Sequence, residues 1–182
     1  MSYADDFVIL AKKAFTKEQK AWISKKIEDE GLKLNQEKTH VINMNQMGAQ
    51  FDFLGFSFKL VVGYYAHTNY VKIYPSKKSQ KKFKDKLRQI VKHRTSLTLD
   101  VLIYRVNQVI RGWKNYFGKV GYPRKVFFMM DWFVVKRFYL WSRSRSQRRS
   151  VYLAQDAWEK LYKAGLVLLQ PTEATKAVKG RR

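Results

Sequence analysis

Two adjacent carboxylates, Asp5 and Asp6, stand near the start of the chain, just before an apolar run. Carboxylate oxygens are the ligands that the hard cation Mg²⁺ prefers. In phosphoryl-transfer sites such ions clamp the attacking and leaving oxygens, so two aspartates at a hairpin tip could serve a polymerase-type reaction. Aspartates are also common in solvated turns that precede a strand. On these two residues alone, the solvated turn is the favoured interpretation.

The residues around the two carboxylates have the patterning of strands with one helix. The run FVILA at 7–11 predicts a buried strand. The stretch from Thr16 to Gly31 predicts a helix with a capping residue at its start and a glycine at its end. A strand, a turn and a second strand are predicted at 32–44, a hairpin at 51–62, and a further strand at 70–75.

After Pro75 the apolar period changes from two residues to that of a helix. Three amphipathic helices are predicted in succession, with turns near 93–96 and 118–123, and a fourth, shorter helix at 155–163. The segment 171–182 has the composition of a flexible basic tail. The predicted fold class is therefore α+β, strands plus one helix followed by an all-α basic bundle.

The charge of the chain is strongly basic and unevenly distributed. It carries 37 Lys and Arg against 14 Asp and Glu, a net charge of +23. Residues 1–60 hold 9 basic and 8 acidic residues, which leaves 28 basic and 6 acidic residues in 61–182. A globular chain this basic is expected to bind a polyanion, and its affinity for phosphates should depend on salt. The alternative, a solvated charged face, is less favoured at this net charge.

Several classes of protein are excluded by composition. Without cysteine the chain has no disulfide and no thiolate metal site. No apolar run approaches the roughly 18–20 residues of a membrane span, and the N-terminal residues lack the pattern of a signal peptide. His40, His67 and His93 lie far apart and are predicted to be structural. We expect an intracellular protein without a membrane partner, either organellar (mitochondrial) or in a bacterial cytoplasm.

The chain contains three segments in this order: YADDFVILAK, GLKLNQEKTHVIN and FDFLGFSF. A basic stretch that contains IRGWKNYFG follows them. Together they resemble the group II intron reverse transcriptase/maturase family over residues 2–150. The resemblance implies a C-terminal half of a reverse-transcriptase palm at 1–75. It implies a thumb/maturase helical domain at 76–150, and a short helix with a basic tail at 151–182.

The resemblance also implies roles for residues in the matching motifs. Asp5 and Asp6 match the family's catalytic, metal-binding pair, and Lys38 matches the segment beside the incoming nucleotide, where a solvated cation is an equal alternative. The primer-grip hairpin is matched by Leu54, Gly55 and Phe56. A glycine there lets a backbone approach nucleic acid closely, although a core hairpin with a bulge needs the same residue.

Basic positions of the helical region are predicted to bind RNA, because arginine and lysine contact phosphates and arginine also stacks on bases. They are Lys77, Lys78, Lys81, Lys82, Arg88, Arg111, Lys114, Arg124, Lys125, Lys136, Arg137, Arg143, Arg145, Arg148 and Arg149.

Aromatic residues of the helical region recur at helical spacing, which favours the core over stacking on bases. They are Trp113, Tyr116, Trp132 and Tyr139. Three tyrosines near a glycine are stronger candidates for stacking, with core packing as an equal alternative. They are Tyr64, Tyr65 and Tyr70.

The departures from the family pattern bear on activity. The family's site needs a third aspartate from an earlier strand and basic fingers, and these 182 residues contain neither. The sequence is expected to be the C-terminal half of a longer protein and, purified by itself, to extend no primer. Whether the protein is an enzyme stays open. Mg²⁺ is expected only if a separate chain with the N-terminal reverse-transcriptase half completes the palm.

Two functions stay open, and both take structured RNA as the partner. The first is an RNA-binding maturase-type protein, which aids the folding and splicing of an intron or forms one half of a split reverse transcriptase. The alternative is a non-catalytic structural component of a large ribonucleoprotein such as an organellar ribosome. A third, weaker possibility is a catalytic reverse transcriptase of which this sequence is a part.

Overall fold

The structure, a computed structural model, describes residues 2–3, 6–35, 37–63, 68–92, 96–120, 123–145 and 157–170. In this part, strands and helices are mixed, as the predicted α+β class requires. The chain divides into two compact units. The first comprises Met1–Leu54 and Phe58–Lys72, and the second comprises Gly55–Ser57 and Ile73–Arg182.

The first unit begins with a short antiparallel pair of strands. β1 (Ser2–Tyr3) pairs with β2 (Asp6–Phe7), so that Tyr3 lies opposite Asp6. The predicted buried strand at 7–11 is wrong, because β2 ends at Phe7 and Leu10 is 74% exposed. Among the described residues, Ser2 and Tyr3 pair with Phe7 and Asp6 and no strand pairs with 8–11, and a β-forming run without a partner for its backbone groups does not extend as a ladder.

The helix predicted from Thr16 is confirmed as α1 (Lys17–Asp29). The Thr16 backbone N–H donates to Gln19 Oε1 at 3.1 Å, and the Gln19 N–H donates to Thr16 Oγ1 at 3.2 Å, a reciprocal capping box. Gly31 follows the helix with a φ of 76°, a conformation that glycine adopts without strain. No residue of α1 is buried, so local caps rather than packing specify this helix.

The two strands predicted within 32–44 are wrong, since the described residues there form no strand. Asn35 nucleates a turn instead. Its carbonyl accepts hydrogen bonds from the backbone N–H groups of Lys38 at 3.1 Å and Thr39 at 3.0 Å. Its side-chain Oδ1 also accepts from the Lys38 N–H at 3.2 Å. Such side-chain bonds to the local backbone compete with the ladder of a sheet.

Three strands form an antiparallel sheet in the order β3-β4-β5. They are β3 (Gln50–Phe53), β4 (Phe56–Val62) and β5 (Asn69–Pro75), which confirms the predicted hairpin and the strand after it. Leu54 and Gly55 connect β3 to β4 with φ values of 48° and 79°. Two consecutive positive φ angles match the twist of a tight hairpin.

In the described residues of the second unit there are four helices, as predicted. They are α2 (Lys77–Ile90), α3 (Leu99–Phe117), α4 (Arg124–Arg145) and α5 (Ala157–Lys163). α2 packs against both α3 and α4, and α4 packs against α5. The fully buried large side chains among the described residues include Leu87, Leu102, Val106, Ile110, Phe127, Met130, Val134, Phe138, Leu161 and Leu169.

The chain after α5 is held by an asparagine and a lysine of α3. The Asn107 side chain donates to the Gly165 carbonyl and accepts from the Val167 N–H, both at 2.8 Å. Lys114 Nζ donates to the Leu168 carbonyl at 3.1 Å. These bonds satisfy the polar backbone groups of a segment that carries buried leucines.

Asp131 of α4 holds the end of the same segment. Its carboxylate accepts hydrogen bonds from the backbone N–H groups of Leu169 at 2.8 Å and Gln170 at 3.0 Å. Burial raises the pKa of Asp131 to about 6, although these two donors and the charge of Lys114 act to lower it. Asp131 was not among the residues singled out from the sequence, although it is the lone carboxylate of a largely apolar helix.

Within the described residues, no helix is long and apolar enough to cross a membrane.

Candidate nucleic-acid interface

The start of α2 is tied to the turn between β3 and β4. The Gly55 carbonyl accepts from the Ser76 backbone N–H at 2.8 Å and from Ser79 Oγ at 2.9 Å. Ser76 is the N-cap of α2, and its Oγ accepts from the Ser79 N–H at 3.2 Å. A Cβ atom at Gly55 would lie 2.9 Å from Ser79 Oγ, so the Ser79 side chain would have to move, and the φ of 79° disfavours a side chain at this position as well. The contact determines where α2 begins and therefore which way its side chains face.

The lysines of α2 lie in two rows on either side of its buried face, which contains Phe83 and Leu87. The residues of the first row are spaced four, three and four positions apart, and those of the second row four apart, so each row follows one side of the helix. The groove row consists of Lys77, Lys81, Lys84 and Arg88, which line a shallow groove together with Gln80. The outer row consists of Lys78, Lys82 and Lys86, all exposed.

The groove row lies on the side of α2 that faces α4. Lys84 Nζ is 5.7 Å and Arg88 Cζ is 5.2 Å from the centroid of the Phe133 ring, a cation–π arrangement. Arg88 also forms an ion pair with Asp85 at 2.5 Å. Two of the four cations are therefore held in place by contacts to the protein, which reduces the side-chain entropy lost when they bind phosphate.

α4 presents an exposed ridge that mixes apolar and basic side chains. The outer ridge of α4 consists of Lys125, Phe128, Met129, Trp132 and Lys136, all exposed and all on one side of the helix. The Trp132 ring meets the Trp158 ring of α5 edge to face, at 5.9 Å between centroids.

Residues 80–160 match the family model for the group II intron, maturase-specific domain. Over these residues the chain is similar to that domain family. The maturase-specific domain starts within α2, includes α3 and α4, and ends within α5. It indicates a role in group II intron splicing with intron RNA as the bound partner, which confirms the predicted maturase resemblance. No curated protein matches the chain.

Most of the basic residues predicted to bind RNA are exposed in and around the maturase-specific domain. They are Lys77, Lys78, Lys81, Lys82, Arg88, Arg111, Arg124, Lys125, Lys136 and Arg143. Arg148, Arg149 and the side chain of Arg145 lie outside the described residues. Lys84 was not named among the residues predicted to bind RNA, although its helical spacing from Lys77 and Lys81, which places it in the groove row, is readable in the sequence.

Two of the predicted RNA-binding residues form hydrogen bonds within the second unit. Lys114 is half-buried and donates to the Leu168 carbonyl. Arg137 is half-buried as well and donates to the carbonyl of Val91, the C-cap residue of α2. Burial, and then the nearby charge of Arg88, lower the pKa of the Arg137 guanidinium. Both side chains contribute to the fold of the domain, whatever their role toward RNA.

The aromatic residues of the domain only partly follow the prediction that they belong to the core. Trp113 does so, since its ring lies 4.7 Å from those of Phe83 and Phe117. Trp132 and Tyr116 are exposed, so the prediction is wrong for them. Helical spacing identifies the side of a helix but not how much of that side its neighbours cover. Tyr139 is half-buried.

The residues predicted from the palm motifs are spread over the first unit and the hairpin. Asp6 is exposed on β2 and Lys38 is exposed in the turn at Asn35, while Asp5 lies outside the described residues. Across the described ranges, no group of three or more His, Asp or Glu side chains could hold a metal ion. The described donors alone therefore do not fit a complete Mg²⁺ site.

The primer-grip and tyrosine candidates lie near the sheet. Leu54 and Gly55 are half-buried, and Phe56 is buried with its ring 4.9 Å from that of Phe117. Gly55 makes its close approach to Ser79, within the protein, and its role toward nucleic acid stays a prediction. Tyr70 is exposed at the start of β5. Tyr64 and Tyr65 lie outside the described residues.

Proposed function

We propose that the chain binds structured intron RNA along the groove row of α2 and the neighbouring side of α4, and thereby favours the splicing-competent fold of the RNA. The observation that carries this proposal is the groove row itself. It places four cations along one side of a helix, two of them held over Phe133. Each phosphate that such cations neutralise releases counterions, so the affinity should fall steeply as salt rises.

The proposal can be tested with two variants that remove the same charge from the same helix. The first replaces Lys77, Lys81 and Lys84 of the groove row with glutamine, and the second replaces the outer row, Lys78, Lys82 and Lys86. We expect the groove-row variant to lose about tenfold or more in affinity for a folded group II intron RNA near physiological salt. The plot of the logarithm of its binding constant against the logarithm of salt concentration should become less steep. The slope should change by about 2 to 3, close to 0.9 for each lost phosphate contact.

The outer-row variant is the control for net charge and should retain most of the affinity. Circular dichroism and thermal unfolding of both variants check that α2 is intact. Equal losses of affinity in the two variants would contradict the proposal, because they would mean that RNA responds to net charge rather than to the groove row.

The identity of the RNA distinguishes this function from the ribonucleoprotein alternative. The chain would be tagged in its source cell and crosslinked, and the co-purified RNA sequenced. We expect enrichment of one group II intron together with its flanking exons. Ribosomal RNA crosslinked at a single stoichiometric site would instead support a structural component of an organellar ribosome. The basic composition of the chain is compatible with either result.

We further propose that the first unit is the second half of a reverse-transcriptase palm, completed by a polypeptide that carries the first half. This is supported by large apolar side chains that stay exposed in the first unit, among them Leu10, Trp22, Val41 and Met47. A polypeptide that carries the first half would remove such side chains from water, and exposed apolar patches mark interaction sites. In such a complex Asp5 and Asp6 would share Mg²⁺ with an aspartate of the added half.

A further inference from the structure

The outer ridge of α4 exposes three large apolar side chains next to one another. Phe128 is 38%, Met129 49% and Trp132 42% exposed. On the opposite side of the same helix, Phe127 and Phe138 are fully buried. A core needs only one side of such a helix, so apolar residues on the other side are not explained by folding of the described part. Exposed apolar patches mark sites of interaction.

Cations stand at both ends of this apolar patch. Lys125 lies one turn before Met129, and Lys136 lies one turn after Trp132, so the two lysines are roughly 16 Å apart along the helix axis. Asp131 is the single acidic residue in the sequence of α4, and it is buried, with its carboxylate bound to the backbone of the segment after α5. The ridge therefore offers apolar surface and positive charge, without an exposed carboxylate.

The Trp132 ring is oriented but not covered. Its edge-to-face contact with Trp158 of α5, at an interplanar angle of 84°, limits how the side chain can turn. A large part of the side chain stays accessible nonetheless. An aromatic ring that is held in place and open to solvent is suited to stacking on a flat partner.

We propose that the outer ridge of α4 binds unpaired nucleotides, with bases stacked on Trp132 and Phe128 and phosphates beside Lys125 and Lys136. The inference rests on the proposed function and deepens it. Bases within a duplex are stacked on one another and offer no free face, whereas unpaired bases do. The flanking lysines favour a polyanion over an apolar segment of a protein. Together with the groove row, the ridge would recognise RNA where a helix opens into a loop.

The experiment compares two RNAs of equal length, a hairpin with an unpaired loop and a blunt, fully paired duplex. The full chain is used, and Kd is measured by fluorescence anisotropy near physiological salt. We expect Trp132→Leu, which keeps apolar bulk against Trp158, to weaken binding of the looped RNA by about tenfold, the usual effect of losing one stacked base. The duplex should change by less than about twofold, and Trp132→Phe should retain most of the affinity for the looped RNA.

Tyr104→Ala provides the matched control, since Tyr104 is an exposed aromatic on α3, 66% accessible and outside the ridge. A fluorescent 2-aminopurine base in the loop provides an independent readout. Its emission should be quenched when the wild-type chain binds, and this quenching should be weaker with Trp132→Leu. Unchanged quenching in that variant, or equal losses for looped and duplex RNA, would overturn the inference.

The experiment separates failure of this inference from failure of the proposed function. If the wild-type chain binds neither RNA, nor folded intron RNA, the proposed function fails. If the wild-type chain binds both RNAs and Trp132→Leu binds them equally well, only the ridge inference fails. Loss of a co-purifying protein in Trp132→Leu, with RNA affinity unchanged, would identify the ridge as a protein-docking surface and would also overturn it.

Discussion

Two buried polar side chains, Asp131 and Asn107, attach the segment after α5 to the helices of the second unit. Asp131 accepts two backbone N–H groups of this segment, and Asn107 bonds the same segment from α3. Removing one member of such a pair leaves a buried group without a partner, which typically costs about 1–3 kcal/mol. Because both side chains are buried, their variants test stability separately from the exposed cations that are proposed to bind RNA.

Asp131 should give the stability of the domain a specific pH dependence. Its pKa is raised from 3.8 to about 6 on folding, so between these values the folded chain binds a proton that the unfolded chain has released. The contribution of this group to the free energy of unfolding therefore falls as pH rises from about 4 to 6, by up to about 3 kcal/mol in total. Above pH 6 the cost of burying the charged carboxylate is fully present.

This pH dependence can be measured by urea unfolding of wild type and Asp131→Asn between pH 4.5 and 7. The variant cannot titrate at this position, so the difference in unfolding free energy between the two proteins should change across the window, in favour of wild type at low pH. Parallel pH profiles would contradict the expected titration of Asp131. The other carboxylates are common to both proteins and cancel in the difference.

At the level of elements, α2 carries the groove row, and the residue at which α2 begins sets the direction of the lysines on it. The start is defined by Ser76 as N-cap and by the Gly55 carbonyl, which bonds both Ser76 and Ser79. A one-residue change in the phase of α2 would rotate the groove row by about 100° and move it away from Phe133.

Gly55→Ala tests this connection. The residue has a φ of 79°, which disfavours a side chain, and an added Cβ would lie 2.9 Å from Ser79 Oγ. We expect the strain and the weakened Ser79 bond together to destabilise the second unit by about 2–3 kcal/mol.

Gly165→Ala is the matched control for Gly55→Ala. Gly165 has a φ of 90° and lies in the same unit, but nothing stands within 4 Å of an added Cβ. Gly165→Ala should lower the free energy of unfolding by only about 1–2 kcal/mol, which is the strain of a side chain in the left-handed conformation. Thermal and urea unfolding compare the two variants, and equal destabilisation would show that the contact with Ser79 has no energetic weight.

At the level of the whole molecule, the two activities proposed for the chain, RNA binding and metal binding, fall in parts of different net charge. Residues 1–60 are close to neutral, whereas 61–182 carry a net charge of +22. RNA binding is assigned to the basic part, and the metal-binding pair, if it acts, belongs to the neutral part. Variants of one part should therefore leave the activity of the other unchanged.

Replacing Asp5 and Asp6 with asparagine tests this division. The affinity for intron RNA should stay within about twofold of that of a control, Glu28→Gln with Glu30→Gln, which changes the net charge equally at the C-terminal end of α1. Primer extension should require co-expression with a polypeptide that carries the first palm half, and should be lost in the aspartate variant. Extension that survives in this variant would contradict the proposed role of the pair.

The sequence by itself determined the elements whose signals are local. The capping box of α1, the turn at Leu54 and Gly55, and the apolar periods of α2, α3 and α4 each depend on residues within a few positions of one another. The net charge, a property of the sequence alone, already favoured a polyanion as partner.

Strand pairing, the inward direction of cationic side chains and the burial of aromatic rings depend on residues distant in sequence, so only the tertiary structure decided them. The run at 7–11 has the composition of a strand, but among the described residues no strand pairs with 8–11. Lys114 and Arg137 turn inward to carbonyls far along the chain. Trp132 shares the spacing of a core residue but is 42% exposed, because α5 contacts its ring through Trp158 without covering it. Periodicity defines the sides of an element, whereas burial depends on which other elements pack against them.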